Sequence, residues 1–326
     1  MTRTERVRAA LAKQDVDRIP ISIWLHYSHL DQDPRSLAEE QVRAARKFDY
    51  DFIKLMPFGL YSVQDWGPRL KMFCQKGHPP IVDRFAIDTP EDWLAVKELP
   101  GTYGAWGSQV TLAKHVRRLV GDEIPFIQTI FSPLTSARKL GGERIFEDMK
   151  NCPEALHAAL EAITRTTVSF IRENLAAGVS GFFFATQNAV STEISPEAYE
   201  EFGAAYDLRL FEAFAGQTWL DVIHIHGENV MFKRVAEYPG NCINWHDRWG
   251  GPSMDKARAL TDKCLLGGLN ERDVLHTVDT DAVQAHVAEA VAMAGRTGLM
   301  IGPGCVADPA TPEANFFAAR MALENL

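Results

Sequence analysis

The chain of 326 residues contains no run of about eighteen apolar residues, so it offers no candidate for a membrane-spanning helix. Its start, Met1-Thr-Arg-Thr-Glu-Arg-Val-Arg-Ala-Ala10, is charged and lacks the apolar core of a secretory signal, which makes a cytoplasmic protein the expectation. Excess positive charge is missing as well. With 34 Lys and Arg against 43 Asp and Glu, the formal net charge is −9. Nucleic acid and an anionic membrane surface are therefore not expected partners, because binding either calls for a basic patch. Cysteine is scarce: Cys74, Cys152, Cys242, Cys264 and Cys305 are odd in number, widely spaced and without a CxxC, which argues against a disulfide framework. No internal repeat or low-complexity segment is visible.

What the chain does have is alternation. With 46% hydrophobic and 24% charged residues it is an ordinary globular composition, long enough for one large core. Helical patterns at 3–14, 36–48 (with Ser36 as N-cap), 108–120, 134–150, 153–177, 196–215, 229–237, 253–261, 279–295 and 311–325 alternate with short apolar runs. Those runs are 20–25, 51–56, 125–131, 181–186, 221–227, 242–246, 264–269 and 299–302. Eight such runs, apolar on both faces as buried parallel strands are, predict an α/β fold: a single (β/α)8 TIM barrel over residues 1–326, with an N-terminal helix. Residues 57–106 break the pattern. They are rich in Pro, Gly and aromatics and read as a loop-rich insertion after the second strand, with a short helix near 90–96, serving as a cover or extra layer.

Such a barrel brings all its strand tips to one mouth, and the tips carry the candidate chemistry. In Asp221-Val-Ile-His-Ile-His-Gly227 the period of two puts His224 and His226 on the same face. A lone His at a strand end is more often a hydrogen-bonded structural residue than a ligand. Two at i and i+2 favour a metal, yet they need a third ligand. Cys305, in Gly302-Pro-Gly-Cys305, lies at the last tip and would complete a His2Cys set for Zn²⁺ with a fourth position open; the alternative is a loop cysteine beside a turn. Other tips offer His26, Lys54, Gln187 and Asn270 as substrate contacts by position and Glu271 or His246 to take a released proton; His246 and Asp247 could instead form a His–carboxylate pair, or simply a solvated surface pair. Lys54 could equally be a core lysine paired with an acid. Trp66, Phe184, Trp245 and Trp249 read mostly as packing residues.

The segments Thr4-Glu-Arg-Val-Arg-Ala-Ala-Leu11, Asp17-Arg-Ile-Pro20, Pro153-Glu-Ala-Leu156, Ile194-Ser-Pro-Glu-Ala-Tyr-Glu-Glu-Phe202, Gly302-Pro-Gly-Cys305 and Asp308-Pro-Ala-Thr-Pro-Glu-Ala-Asn315 together resemble the uroporphyrinogen decarboxylase superfamily over nearly the whole chain. The resemblance implies a (β/α)8 barrel with its site in a cleft at the strand C-termini. True uroporphyrinogen decarboxylases carry Arg-Gln-Ala-Gly-Arg after the first strand and an aspartate after the second. Here these places read Trp24-Leu-His-Tyr-Ser-His29 and Leu55-Met-Pro-Phe58, so porphyrinogen decarboxylation is not expected. The other branch, similar to methylcobamide:coenzyme M methyltransferase, binds zinc through a His-x-Cys pair and a later Cys. This chain has His224-Ile-His226 and Cys305 in those places, with His226 in place of Cys.

The resemblance thus implies zinc-dependent methyl or alkyl transfer, in which an acceptor such as a thiol attacks a methyl group carried by a cobamide, a folate or a methyl ether. A His2Cys site is less electron-rich and a better Lewis acid than a HisCys2 site, which leaves the acceptor open. No corrinoid-binding Asp-x-His-x-x-Gly occurs, so a cobamide would come on a separate corrinoid protein. A small-molecule substrate and a monomer or homodimer are expected. Two rivals stand beside this reading: a metal-free decarboxylase or lyase of a small acid, anchored by Lys54 and Arg35, and a zinc-water hydrolase or lyase.

Overall fold

The computed structural model describes residues 1–277, 279–324 and 326. Seven parallel strands form one sheet in the order β1 (Ile53–Lys54), β4 (Phe126–Phe131), β5 (Gly181–Thr186), β6 (Val222–Ile225), β7 (Cys242–Trp245), β8 (Cys264–Leu269) and β9 (Leu299–Pro303). A separate antiparallel pair, β2 (Arg69–Lys71) and β3 (Ile81–Arg84), lies within the loop-rich stretch that precedes β4. All seven strands of the large sheet are buried throughout, which explains why they read as unbroken apolar runs rather than alternating ones.

The expected first strand at 20–25 is not a strand ladder. Ile21 and Leu25 make single bridges to Ile301 and Ala307. The reason lies in side chains that take the backbone's partners. Asp51 Oδ2 accepts from Ile21 N at 2.8 Å, and the Ser22 hydroxyl donates to Phe52 O at 2.8 Å. The segment still joins the two edges of the sheet, because Ser22 N donates to Ile301 O on one side and Ile21 O accepts from Asp51 N on the other. The sheet is therefore curled, in the manner of a TIM-like α/β fold.

The helices are α1 (Arg3–Leu11), α2 (Pro34–Lys47), α3 (Gly104–Val120), α4 (Pro133–Gly141), α5 (Ile145–Asn151), α6 (Pro153–Ala176), α7 (Pro196–Tyr199), α8 (Ala205–Phe214), α9 (Phe232–Val235), α10 (Met254–Leu260), α11 (Thr280–Ala294) and α12 (Glu313–Ala322). The second begins three residues earlier than expected. Asp33, not Ser36, is its N-cap and accepts from Arg35 N and Ser36 N, with Pro34 preset for the first turn. At α7 the expected cap holds, as Ser195 Oγ accepts from Ala198 N. On the outer face of β5, Phe182 and Phe184 pack on Phe214 and Phe211 of α8. Each such fully buried ring contributes roughly 1.5–3 kcal/mol of transfer free energy. Within 57–106, Pro79 and Pro80 line the cavity inside the mouth, and Trp93 Nε1 donates to Asp148. Among the described residues no helix is long and apolar enough to cross a membrane.

Candidate metal centre

Strand register builds the site. His224 on β6 stands level with Ala185 of β5 and Asn244 of β7, and its Nδ1 lies 2.6 Å from Asn244 Oδ1. The amide of Asn244 donates from Nδ2 to Leu266 O at 2.8 Å and to Pro303 O at 3.0 Å. With both amide hydrogens engaged, Oδ1 must accept, so the proton of His224 sits on Nδ1 and its lone pair on Nε2.

His226 lies just beyond the strand end, where its backbone N–H donates to Thr186 O. Its Nδ1 is 3.6 Å from Cys305 Sγ and 3.1 Å from His246 Nε2. Cys305 reaches this spot because Gly304 lets the chain pass close: a Cβ there would stand 3.0 Å from Glu271 Oε2, from His246 Cα and from Trp245 O. His224, His226 and Cys305 each present one ligand atom, all within 4.8 Å of one another. The donor set suits zinc. Ligands about 2.3 Å (sulfur) and 2.0 Å (nitrogen) from one tetrahedral ion would be about 3.6 Å apart, which is the observed Sγ–Nδ1 separation. Burial, with the nearby charges of His246 and His226, keeps the His224 imidazole neutral, and burial with His246 holds His226 down to about 4. Neutral imidazoles are the ligating form. Burial and the charge of Glu271 push the Cys305 thiol up to about 11, and a cation would be needed to draw off its proton.

Beside the cluster runs a relay. His246 Nδ1 is 2.7 Å from Glu271 Oε1, which also accepts from Trp249 Nε1 at 3.1 Å. The Trp249 ring lies 3.9 Å from the His246 ring, and the Arg272 guanidinium stands 3.2 Å over Trp249. Burial works against the Glu271 charge, but the hydrogen bonds from His246, its own backbone and Trp249 hold its carboxyl below the usual range.

The alternative pairing of His246 with Asp247 is overturned. Both residues lie past the end of β7, and Asp247 turns to accept from Gly268 N while His246 meets Glu271. Trp249, expected as packing, is part of the relay. Asn270 does not line the cavities around the cluster; its Oδ1 accepts from Arg272 N in a turn. Arg35 is exposed at the start of α2 and is no anion anchor here.

The cluster sits between two spaces. On the inside, His224 and Cys305 border a cavity of about 210 Å³ that is also lined by Trp24, His26, Lys54 and Lys139. On the outside, His226 and Trp249 border an open cleft of about 720 Å³. Gln187 borders both. Burial lowers Lys54 and Lys139 to about 7, and burial with the charges of both lysines lowers His26 to about 3. Among the described residues Lys54 finds no acid; its Nζ approaches Met56 Sδ at 2.8 Å and the Phe183 ring at 4.6 Å. Asn244, Trp249 and Lys139 were not foreseen as site residues. Asn244 had a signal: Asn244-Trp-His246 repeats on β7 the same-face spacing of His224-Ile-His226 on β6.

Comparison with known proteins bears on the fold and the family. A methyltransferase from Methanosarcina mazei superposes with a TM-score of 0.86 over 100% of this chain and 99% of its own, at 19% identity. A B12-independent methionine synthase from Shewanella sp. W3-18-1 gives 0.59 over 94% and 92%, at 13% identity. These likenesses concern the fold. Among curated relatives, the uroporphyrinogen decarboxylase of Psychromonas ingrahamii is 24% identical over 243 residues, spanning 63% of this chain and 63% of that protein. The one from Anaeromyxobacter dehalogenans is 24% identical over 293 residues, 78% of this chain and 80% of its own. The profile of the uroporphyrinogen decarboxylase (URO-D) family matches residues 2–325, and the chain belongs to that family.

Proposed function

We infer that this family member is a zinc-dependent methyl or alkyl transferase, with His224, His226 and Cys305 as the metal ligands. The observation that carries the reading is their convergence within 4.8 Å at the junction of an inner cavity and an open cleft. Zn²⁺ held there would supply Lewis acidity and lower the pKa of an acceptor such as a thiol. The chain's own residues do the rest. Asn244 fixes His224 with Nε2 unprotonated. Glu271 accepts from His246 Nδ1, which leaves His246 Nε2 free to take the proton given up by the acceptor. Glu271 then balances the imidazolium. Trp24, Phe131 and Phe183 keep water from the inner space, where His26, Lys54 and Gln187 contact substrate.

The open cleft is the side from which a methyl donor, a cobamide or folate carried by a separate corrinoid or other protein, would approach. A full (β/α)8 closure, with 20–25 as the eighth stave, belongs to this reading, as does one domain over 1–326. Porphyrinogen decarboxylation does not, since the 210 Å³ cavity is too small for a tetrapyrrole and, among the described residues, no arginine cluster lines it. The test is elemental analysis of purified protein with His224→Ala, His226→Ala and Cys305→Ala variants, followed by thiol methylation from methylcobalamin. One zinc per chain, lowered in each variant together with methyl transfer, supports the reading; a metal-free parent protein with full activity contradicts it.

A further inference from the structure

The inner cavity contains more positive charge than the metal chemistry uses. Lys54, at the end of β1, is 5% exposed, and Lys139, on α4, turns inward; both line the same space as His26, whose Nδ1 is buried without a partner. A buried ammonium is ordinarily matched by a carboxylate. Here, among the described residues, neither lysine has an acid within salt-bridge distance. Lys54 rests on Met56 Sδ and the face of Phe183, while Lys139 donates to Gly59 O at 2.7 Å and lies 3.3 Å from the Phe131 ring centre. Ring faces and a carbonyl ease the cost of a buried cation without neutralising it.

We propose that this cavity binds a small organic acid, its anion met by Lys54 and Lys139 and its apolar body packed against Trp24, Phe131 and Phe183. Size sets the limit. A cavity of about 150 Å³ accommodates one benzene, so 210 Å³ has room for one ring-sized body and one anionic group. His224 and Cys305 border the same space, so an acid seated on the lysines lies beside the metal cluster. The proposal rests on the transferase reading for the identity of the site, but the charge argument does not need zinc.

The experiment is calorimetric titration of the whole protein, zinc-replete and after chelation, with benzoate, benzenesulfonate and the neutral isostere benzamide. Either anion should bind at least about tenfold more tightly than benzamide, in both metal states, and the better of the two identifies the headgroup. Lys54→Met and Lys139→Met, which preserve volume and add no buried charge, should each erase most of that preference. Equal binding of benzoate, benzenesulfonate and benzamide by the parent protein overturns the proposal, as does a preference that survives both substitutions. An anion preference in a protein that takes up no zinc would sink the transferase reading and leave this subsite standing.

Discussion

Asn244 and His224 face each other across adjacent strands with 2.6 Å between Oδ1 and Nδ1, and the two carbonyls that accept from the Asn244 amide leave that contact only one polarity. The site's organisation follows from this pair. One ring nitrogen is committed to the fold, so the other is committed to the site.

Asn244→Ala should therefore weaken zinc binding by about 10–100-fold, the usual effect of losing a partner that orients a ligating histidine. Competition with a chromophoric chelator measures it. Unchanged affinity would mean that the Asn244 contact does not orient the ligand.

Glu271→Gln keeps the shape of the relay but removes its charge. Zinc content should stay near that of the parent, while methyl transfer falls by about 10²–10⁴-fold with an altered pH profile, as expected for a general base whose counter-ion is gone. Metal analysis beside a pH–rate series separates this from a structural role, which would lower activity evenly at all pH values.

Gly304→Ala tests the close passage beside the relay. Its methyl would lie 3.0 Å from Glu271 Oε2 and from the backbone of Trp245 and His246. Relief requires the Cys305 loop or the carboxylate to move, so a loss of about 1–3 kcal/mol of stability should accompany a drop in zinc affinity. Thermal melts with and without zinc read both.

Away from the site, Asp207 is fully buried and its Oδ2 accepts from Tyr199 and Tyr238. Burial raises its carboxyl to about 7. The folded chain thus holds a proton that the unfolded chain, with an acid near its ordinary value, has already released. Stability contributed below pH ~4 is lost as the pH rises towards 7, by on the order of 4 kcal/mol. Asp207→Asn, which still accepts from both tyrosines, should raise the melting temperature at pH 8 and leave it nearly unchanged at pH 4. Equal shifts at both would refute the charge argument.

Much of this molecule is legible in its sequence for a physical reason. Strands such as 181–186 and 264–269 are buried on both faces, so hydrophobicity alone marks them within the observed bounds. The same-face spacing of His224 and His226 survives folding because strand geometry is local. What fails is what depends on long-range partners. The stretch 20–25 has strand composition, yet its hydrogen bonds go to Asp51 and Phe52 side-chain and backbone groups that no local pattern reveals. The choice of Glu271 over Asp247 for His246 rests on which face each residue takes after the strand ends. Lys139 enters the cavity only because α4 follows β4 across the mouth, and nothing in Ala137-Arg-Lys-Leu140 announces it.

X-ray absorption spectroscopy at the zinc edge of the loaded protein tests the central claim most directly. The account predicts a mixed shell with one sulfur at about 2.3 Å and two imidazole nitrogens near 2.0 Å, the sulfur vanishing in Cys305→Ala. A shell with two or more protein sulfurs, or with none, would contradict it.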